Sequence, residues 1–194
     1  MKYEKFILEL LETAEEQKLA GNHETAIKTC QQIVLQEPHC AEAFEEMGDN
    51  YISLRFLSKA EKALKQAIKI NPQASNAHYL LGFLFSLQEE WGKSVEQLQT
   101  ADELMPNHPE ILRCMGWSCY NQNRQSQRGI AILERSKNLS PNDPNVLCDL
   151  GVCYMNSNQH LKAIPLFEQV IKLSPNTGLA EECQRFLNIL KGVQ

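Results

Sequence analysis

Apolar residues recur along this chain at the three- and four-residue spacing of amphipathic helices, and the same order of side chains returns at a nearly constant interval. In residues 41–74, AEAFEEMGDNYISLRFLSKAEKALKQAIKINPQA, Phe44, Met47, Gly48 and Tyr51 fall on one stripe and Ala60, Leu64 and Ala67 on a second, and Pro72 follows. Each set occupies one side of a helix, so the stretch predicts two helices packed as a hairpin. The small residue of the first helix recurs at Ala14, Gly48, Gly82, Gly116 and Gly151, at intervals of 34, 34, 34 and 35. Pro38, Pro72, Pro106, Pro141 and Pro175 step by 34, 34, 35 and 34, as do Ala26, Ala60, Ser94, Gly129 and Ala163. One residue is therefore inserted between Gly116 and Gly129. Inside a helix it would rotate the apolar stripe off its partner, so it belongs in the polar turn Asn121-Gln122-Asn123-Arg124-Gln125-Ser126, where length costs little.

A small residue at the centre of the first helix lets the second approach closely, the Ala-type position does the same from the other side, and bulky residues fill the seam between them. Proline then ends the second helix, because it has no N–H to donate and clashes with the preceding turn. This order of bulky, Met-Gly, Tyr, Ala and Pro over 34 residues resembles the tetratricopeptide repeat (TPR) family. The resemblance runs from residue 7 to residue 177. It implies an all-α fold, an α-solenoid of about five TPR helical hairpins plus a C-terminal capping helix. The repeats fall at about 7–40, 41–74, 75–108, 109–143 and 144–177, the cap at about 178–191, and the whole of 1–194 reads as a single TPR domain.

The fifth repeat, with Leu147, Leu150, Gly151, Tyr154, Ala163, Phe167 and Val170, keeps the pattern best after the second. Its Pro165 stands near the start of a helix, where a missing N–H is tolerated or gives a slight bend. In the last helix Leu179, Cys183, Phe186, Leu187 and Leu190 form one face and Glu181, Glu182, Gln184, Arg185, Asn188 and Lys191 the other, the polar exterior expected of a solenoid cap; the chain reads as complete at this end. The opening helix, about Lys2 to Leu19, sets Tyr3, Phe6, Ile7, Leu10, Leu11 and Ala14 against Glu9, Glu12 and Glu16. It reads as a self-contained cap, with Leu8 and Leu11 leaving room for a homo-oligomer contact through the N-terminal face.

Family resemblance also implies a use. First helices of TPR proteins line a concave groove that holds a partner's peptide or helix, with the second, fifth, ninth and twelfth residues of each repeat facing inward. Carried onto this sequence, those positions give Glu42, Glu45, Asp49 and Ile52, then Asn76, Tyr79, Phe83 and Ser86, then Glu110, Arg113, Trp117 and Tyr120, then Asn145, Cys148, Val152 and Met155. Of these, Glu42, Glu45, Asp49, Tyr79, Phe83, Arg113, Trp117, Tyr120, Val152 and Met155 are expected to form the partner-binding groove. Glu42, Glu45, Glu46 and Asp49 share one stripe opposite Phe44, Met47 and Tyr51. The groove is expected to be acidic toward the N-terminus and aromatic beyond, suiting a protein or peptide with apolar anchors and basic residues. One TPR subclass grips a chaperone's C-terminal carboxylate with Lys, Asn and Arg. Here the corresponding places carry Leu11, Glu15, Glu46, Tyr79 and Phe83, so such a clamp is not expected, and the acidic stripe would repel that ligand.

Composition narrows the classes further. A net charge of −5 over 194 residues argues against a nucleic-acid surface, which needs clustered Lys and Arg. The one basic run, Lys59, Lys62, Lys65 and Lys69, reads as a solvated outer face. No signal peptide or membrane span is legible, which places the protein in the cytoplasm. Seven cysteines lack C-x-x-C spacing and suit reduced, buried thiols, with no metal site. No catalytic constellation, phosphate loop or cofactor motif is present, so an enzyme is not expected. The sequence reads as a protein-protein interaction module or scaffold; the alternatives are a small chaperone for secretion or assembly of an apolar partner, or a self-assembling scaffold.

Overall fold

The computed structural model describes residues 2–123 and 126–192, with side chains from Lys5 onward. The side chain of Tyr3, and Arg124 and Gln125 of the expected insertion turn, lie outside the described residues. Among the described residues there are eleven α-helices and no strand. The helices group into two compact units, Met1–Leu104 and Met105–Gln194. The first holds the hairpins α1 (Lys2–Leu19) with α2 (His23–Gln36), α3 (Ala41–Ser53) with α4 (Leu57–Ile70), and α5 (Ser75–Leu87) with α6 (Trp91–Leu104). The second holds α7 (Pro109–Gln122) with α8 (Gln127–Leu139), α9 (Pro144–Asn156) with α10 (His160–Leu173), and α11 (Gly178–Lys191).

Local chemistry sets the ends of these helices. Pro109 and Pro144 open α7 and α9, where a missing N–H has no intrahelical partner to lose. Asp143 caps α9 by accepting the Asn145 and Val146 N–H groups at 2.8 and 3.4 Å, and Thr177 caps α11 through the Ala180 N–H. The turn inside the hairpin repeats its geometry. Gly21, Arg55, Glu89 and Asn158 are left-handed, with φ of 77°, 61°, 59° and 58°. The residue after each donates back to a first-helix carbonyl: Asn22 to Gln17, Phe56 to Tyr51, Glu90 to Phe85 and Gln159 to Tyr154, at 2.8–2.9 Å. This is the Schellman closure of a helix C-terminus.

The seam of each hairpin is a small residue set against a large one. A Cβ added to Gly48 would lie 2.5 Å from Leu64, one at Gly82 2.6 Å from Leu98, one at Gly116 2.8 Å from Leu133, and one at Gly151 2.6 Å from Phe167. All four partners are fully buried, each worth about 1.5–3 kcal/mol of hydrophobic stabilisation. In the first hairpin the small residue is Ala14, and the partner position shrinks to Cys30; both are fully buried. Ser94 keeps the seam narrow in the third, its hydroxyl donating to the Gly82 carbonyl at 2.8 Å.

Apolar clusters follow the seams. In the first unit one cluster joins Leu64, Leu80, Leu81, Leu84 and Phe85. In the second, Leu133, Leu147, Leu150, Phe167 and Val170 are continuous with Cys183 and Leu187 of α11, and the rings of Phe167 and Phe186 stand 5.2 Å apart. The cap therefore seals the apolar end of α9 and α10.

Candidate functional site

Within the first unit, α3 and α5 carry the residues predicted to face a groove, and α1 packs beside α3. The three-four spacing of Glu42, Glu45, Glu46 and Asp49 puts four carboxylates on one side of α3. Three of them, Glu42, Glu45 and Glu46, join α1 in bounding a cleft of about 280 Å³ that is also lined by Leu8, Leu11, Glu12 and Glu15. Its lining combines two leucines with five carboxylates. Not all of that charge is free. Lys18 of α1 reaches Glu46 at 2.9 Å and Asp49 at 3.1 Å, so Asp49 is held by an ion pair between helices rather than offered to a ligand. Burial acts to lower the Lys18 pKa, but Glu46 and Asp49 outweigh it and raise it. Glu45 accepts a hydrogen bond from Asn76 of α5 at 3.0 Å. Burial raises its pKa and the Asn76 bond pulls the other way. Glu42 is exposed.

On α5 the rings of Tyr79 and Phe83 stack with centroids 6.4 Å apart and planes 18° from parallel. Both are half-buried and rest on the Leu80, Leu81 and Leu84 cluster. Each shows part of a ring on the same side of the helix as Asn76, and both ring bodies contribute to packing.

In the second unit the predicted residues divide. Trp117, Val152 and Met155 are partly buried against the core and leave an apolar edge. Tyr120 corrects the sequence reading: it is 3% exposed, its ring belongs to the core and its hydroxyl donates to the Cys153 carbonyl at 3.2 Å. It joins α7 to α9 and cannot serve as an anchor for a partner. Arg113 is also engaged. Its Nε donates to Glu110 at 2.9 Å and its terminal nitrogen to Asp149 of α9 at 2.7 Å. Burial pushes the Asp149 carboxyl up to about 6, against the pull of Arg113.

Sequence reasoning did not find Lys18 or Asp149, and it placed Asn76 on an inward position without its partner Glu45. They stand on the first helices of neighbouring repeats, and a search for side-chain pairs one repeat apart would have flagged Asn76 with Glu45 and Asp149 with Arg113. All seven cysteines are free and buried; burial raises Cys30 and Cys114 to about 12. No group of three or more metal-ligating side chains occurs among the described residues, and none of their helices is long and apolar enough to cross a membrane.

Family models described as tetratricopeptide repeat match residues 41–74 and 144–177, the two stretches that keep the pattern best. The chain is 24% identical over 136 residues to type IV pilus assembly protein PilF of Pseudomonas aeruginosa, covering 70% of this chain and 54% of that protein. It is 24% identical over 169 residues to anaphase-promoting complex subunit 7 of Dictyostelium discoideum, covering 85% and 28%. The chain thus spans about half or less of the length of these curated relatives. The solved structure of Pseudomonas aeruginosa PilF matches with a TM-score of 0.84 at 13% identity, over all of this chain and 87% of that one. YrrB, described as a TPR protein with an unusual peptide-binding site, matches with a TM-score of 0.68 at 18% identity, covering 91% and 90%. With five in-phase repeats in the sequence, the hairpins built from them and these matches, the chain is a tetratricopeptide-repeat protein.

Proposed function

We propose that this protein is an interaction scaffold whose first helices bind a segment of a partner protein, with no catalytic role. The observation that carries the reading is the cleft between α1 and α3, where Leu8 and Leu11 share the lining with Glu12, Glu15, Glu42 and Glu45. A lysine or arginine fits such a place twice over, its methylene stem on the leucines and its charged head among the carboxylates. Tyr79 and Phe83, on the next first helix, offer aromatic surface to an apolar neighbour in the same segment. Trp117, Val152 and Met155 offer apolar surface in the second unit. YrrB, a protein of the same fold, carries a peptide-binding site, the ligand class proposed here.

Capture from the native host by the full chain, followed by the same capture with variants, tests this. Glu45→Lys should mainly slow association at low ionic strength, because a rim carboxylate is worth about 0.2–1 kcal/mol and is screened by salt. Phe83→Ala and Trp117→Ala should each cost about 2 kcal/mol in affinity with little salt dependence. Circular dichroism verifies that each variant is folded. A partner retained equally by all three folded variants places the binding surface elsewhere.

A further inference from the structure

The side of α3 away from its carboxylates opens onto another cleft. It has a volume of about 270 Å³ and is lined by Phe44, Met47 and Tyr51 of α3 with Lys59, Lys62 and Ala63 of α4. The repeats themselves indicate that the cleft is a missing plug. The equivalents of Ala63 in the other repeats are Thr29, Gln97, Ile132 and Leu166. Thr29 bonds Gln17 across its hairpin at 2.8 Å, and Gln97 bonds His78 at 2.9 Å. Leu166 is buried in a cluster with Leu147 and Tyr154. In the second repeat the place is taken by an alanine, which reaches neither Phe44 nor Tyr51 with a polar or bulky group, and their rings stay half-exposed.

Charge at the rim is opposite in sign to the chain's net charge of −5. Lys59 stands 5.7 Å over the Tyr51 ring and 5.0 Å over Phe56. Lys93 over Phe85 and Lys162 over Tyr154 repeat that arrangement, so packing fixes its position. Lys62 is exposed beside it. Among the described residues neither lysine has a carboxylate partner, whereas Lys65 is held by Glu61.

We propose that this cleft is a second docking surface, taking a partner segment that presents one bulky apolar side chain beside acidic residues. An aliphatic or aromatic side chain occupies the space the other repeats fill from within, and flanking carboxylates meet Lys59 and Lys62. The site is independent of the acidic cleft on the first helices, which selects the opposite charge.

Two fluorescein-labelled peptides serve as probes with the full chain, Glu-Glu-Leu-Phe-Glu-Glu and its counterpart with lysine in place of each glutamate. Fluorescence anisotropy gives affinity, and the Ala63 and Tyr51 amide shifts locate the contact. Ala63→Leu installs the plug of the fifth repeat, and Lys62→Glu reverses the rim at an exposed position that leaves the fold intact. The acidic peptide should bind native chain with saturable shifts at Ala63, and about tenfold or more weaker to either variant. Binding of the lysine peptide should not fall in either. The proposal is overturned if the acidic peptide gives no saturable binding, or binds the folded variants as well as native chain. It is also overturned if sedimentation reveals a dimer that Ala63→Leu abolishes, which assigns the cleft to a second copy.

Discussion

Arg113 and Tyr120 have the same lesson at the scale of single residues. Their places in the repeat assign both to the groove side of a first helix, and Tyr120 lies in the core instead. What the repeat does not encode is the side chain waiting in the neighbouring repeat. Asp149 turns Arg113 into a bridge between α7 and α9, and the Cys153 carbonyl holds the Tyr120 hydroxyl in the core. Periodicity left these partners illegible, because the partner lies 33 to 36 residues away and varies from repeat to repeat. Asp149 allows a pH test. Its folded pKa of about 6 stands above the ordinary carboxylate value of about 4. The folded chain therefore takes up a proton there before the unfolded chain does. This residue's contribution to stability is fully present below about pH 4 and is lost as pH rises through about 6. Replacing Asp149 with asparagine should remove that component from the pH dependence of the urea midpoint, and Arg113→Gln should move the carboxyl midpoint above 6 in an NMR titration. A downward shift in Arg113→Gln would contradict the ion pair.

Between helices the controlling variable is how the volume of each seam is divided. Glycine faces leucine or phenylalanine in four hairpins and Ala14 faces Cys30 in the first, which explains why the repeat pattern tolerates a cysteine at a core position. Gly48→Ala should cost about 1–3 kcal/mol through overpacking against Leu64. Adding Leu64→Cys should then cost less than the sum of the two single changes, because the pair recreates the division found in the first hairpin. Gly129 is a different case. A Cβ there would meet the Tyr120 backbone nitrogen at 2.6 Å and the Gly116 carbonyl oxygen at 2.8 Å, and backbone cannot rotate away as a side chain can. Gly129→Ala should be the more destabilising change in urea unfolding. Equal costs for the two glycine variants would show that the seams yield alike. Of the hairpin turns, Gly21 and Asn158 are residue types that favour the left-handed conformation; Arg55 and Glu89 adopt it because Schellman closure holds them there, and nothing in their chemistry predicted it.

For the molecule as a whole, stability is distributed by neighbours, and each terminal helix draws on just two. In this 194-residue chain α1 packs on α2 and α3, and α11 on α9 and α10. Each also shows apolar surface, with Leu8 56% and Ile189 70% exposed. The sequence made the amphipathic character of both helices legible but not how much apolar surface each would leave uncovered, which depends on where the adjacent hairpin ends. Local opening should begin at these two helices, so their amides should exchange with deuterium well before those of α3, α4 and α9. The thiols provide an independent reading of the same opening. Cys183 of α11 lies 3.7 Å from Cys148 of α9, and that contact lowers the Cys183 pKa while raising that of Cys148. When α11 opens, Cys183 parts from Cys148 and reaches solvent, where the reactive thiolate can form and meet a reagent. Cys114, raised to about 12, stays protonated and enclosed until its hairpin unfolds. Alkylation of native protein at pH 8, followed by peptide mass analysis, should label Cys183 first and Cys114 last. Labelling of Cys114 ahead of Cys183, or amide exchange at one uniform rate along the chain, would mean that the repeats open together and that the terminal helices have no separate instability.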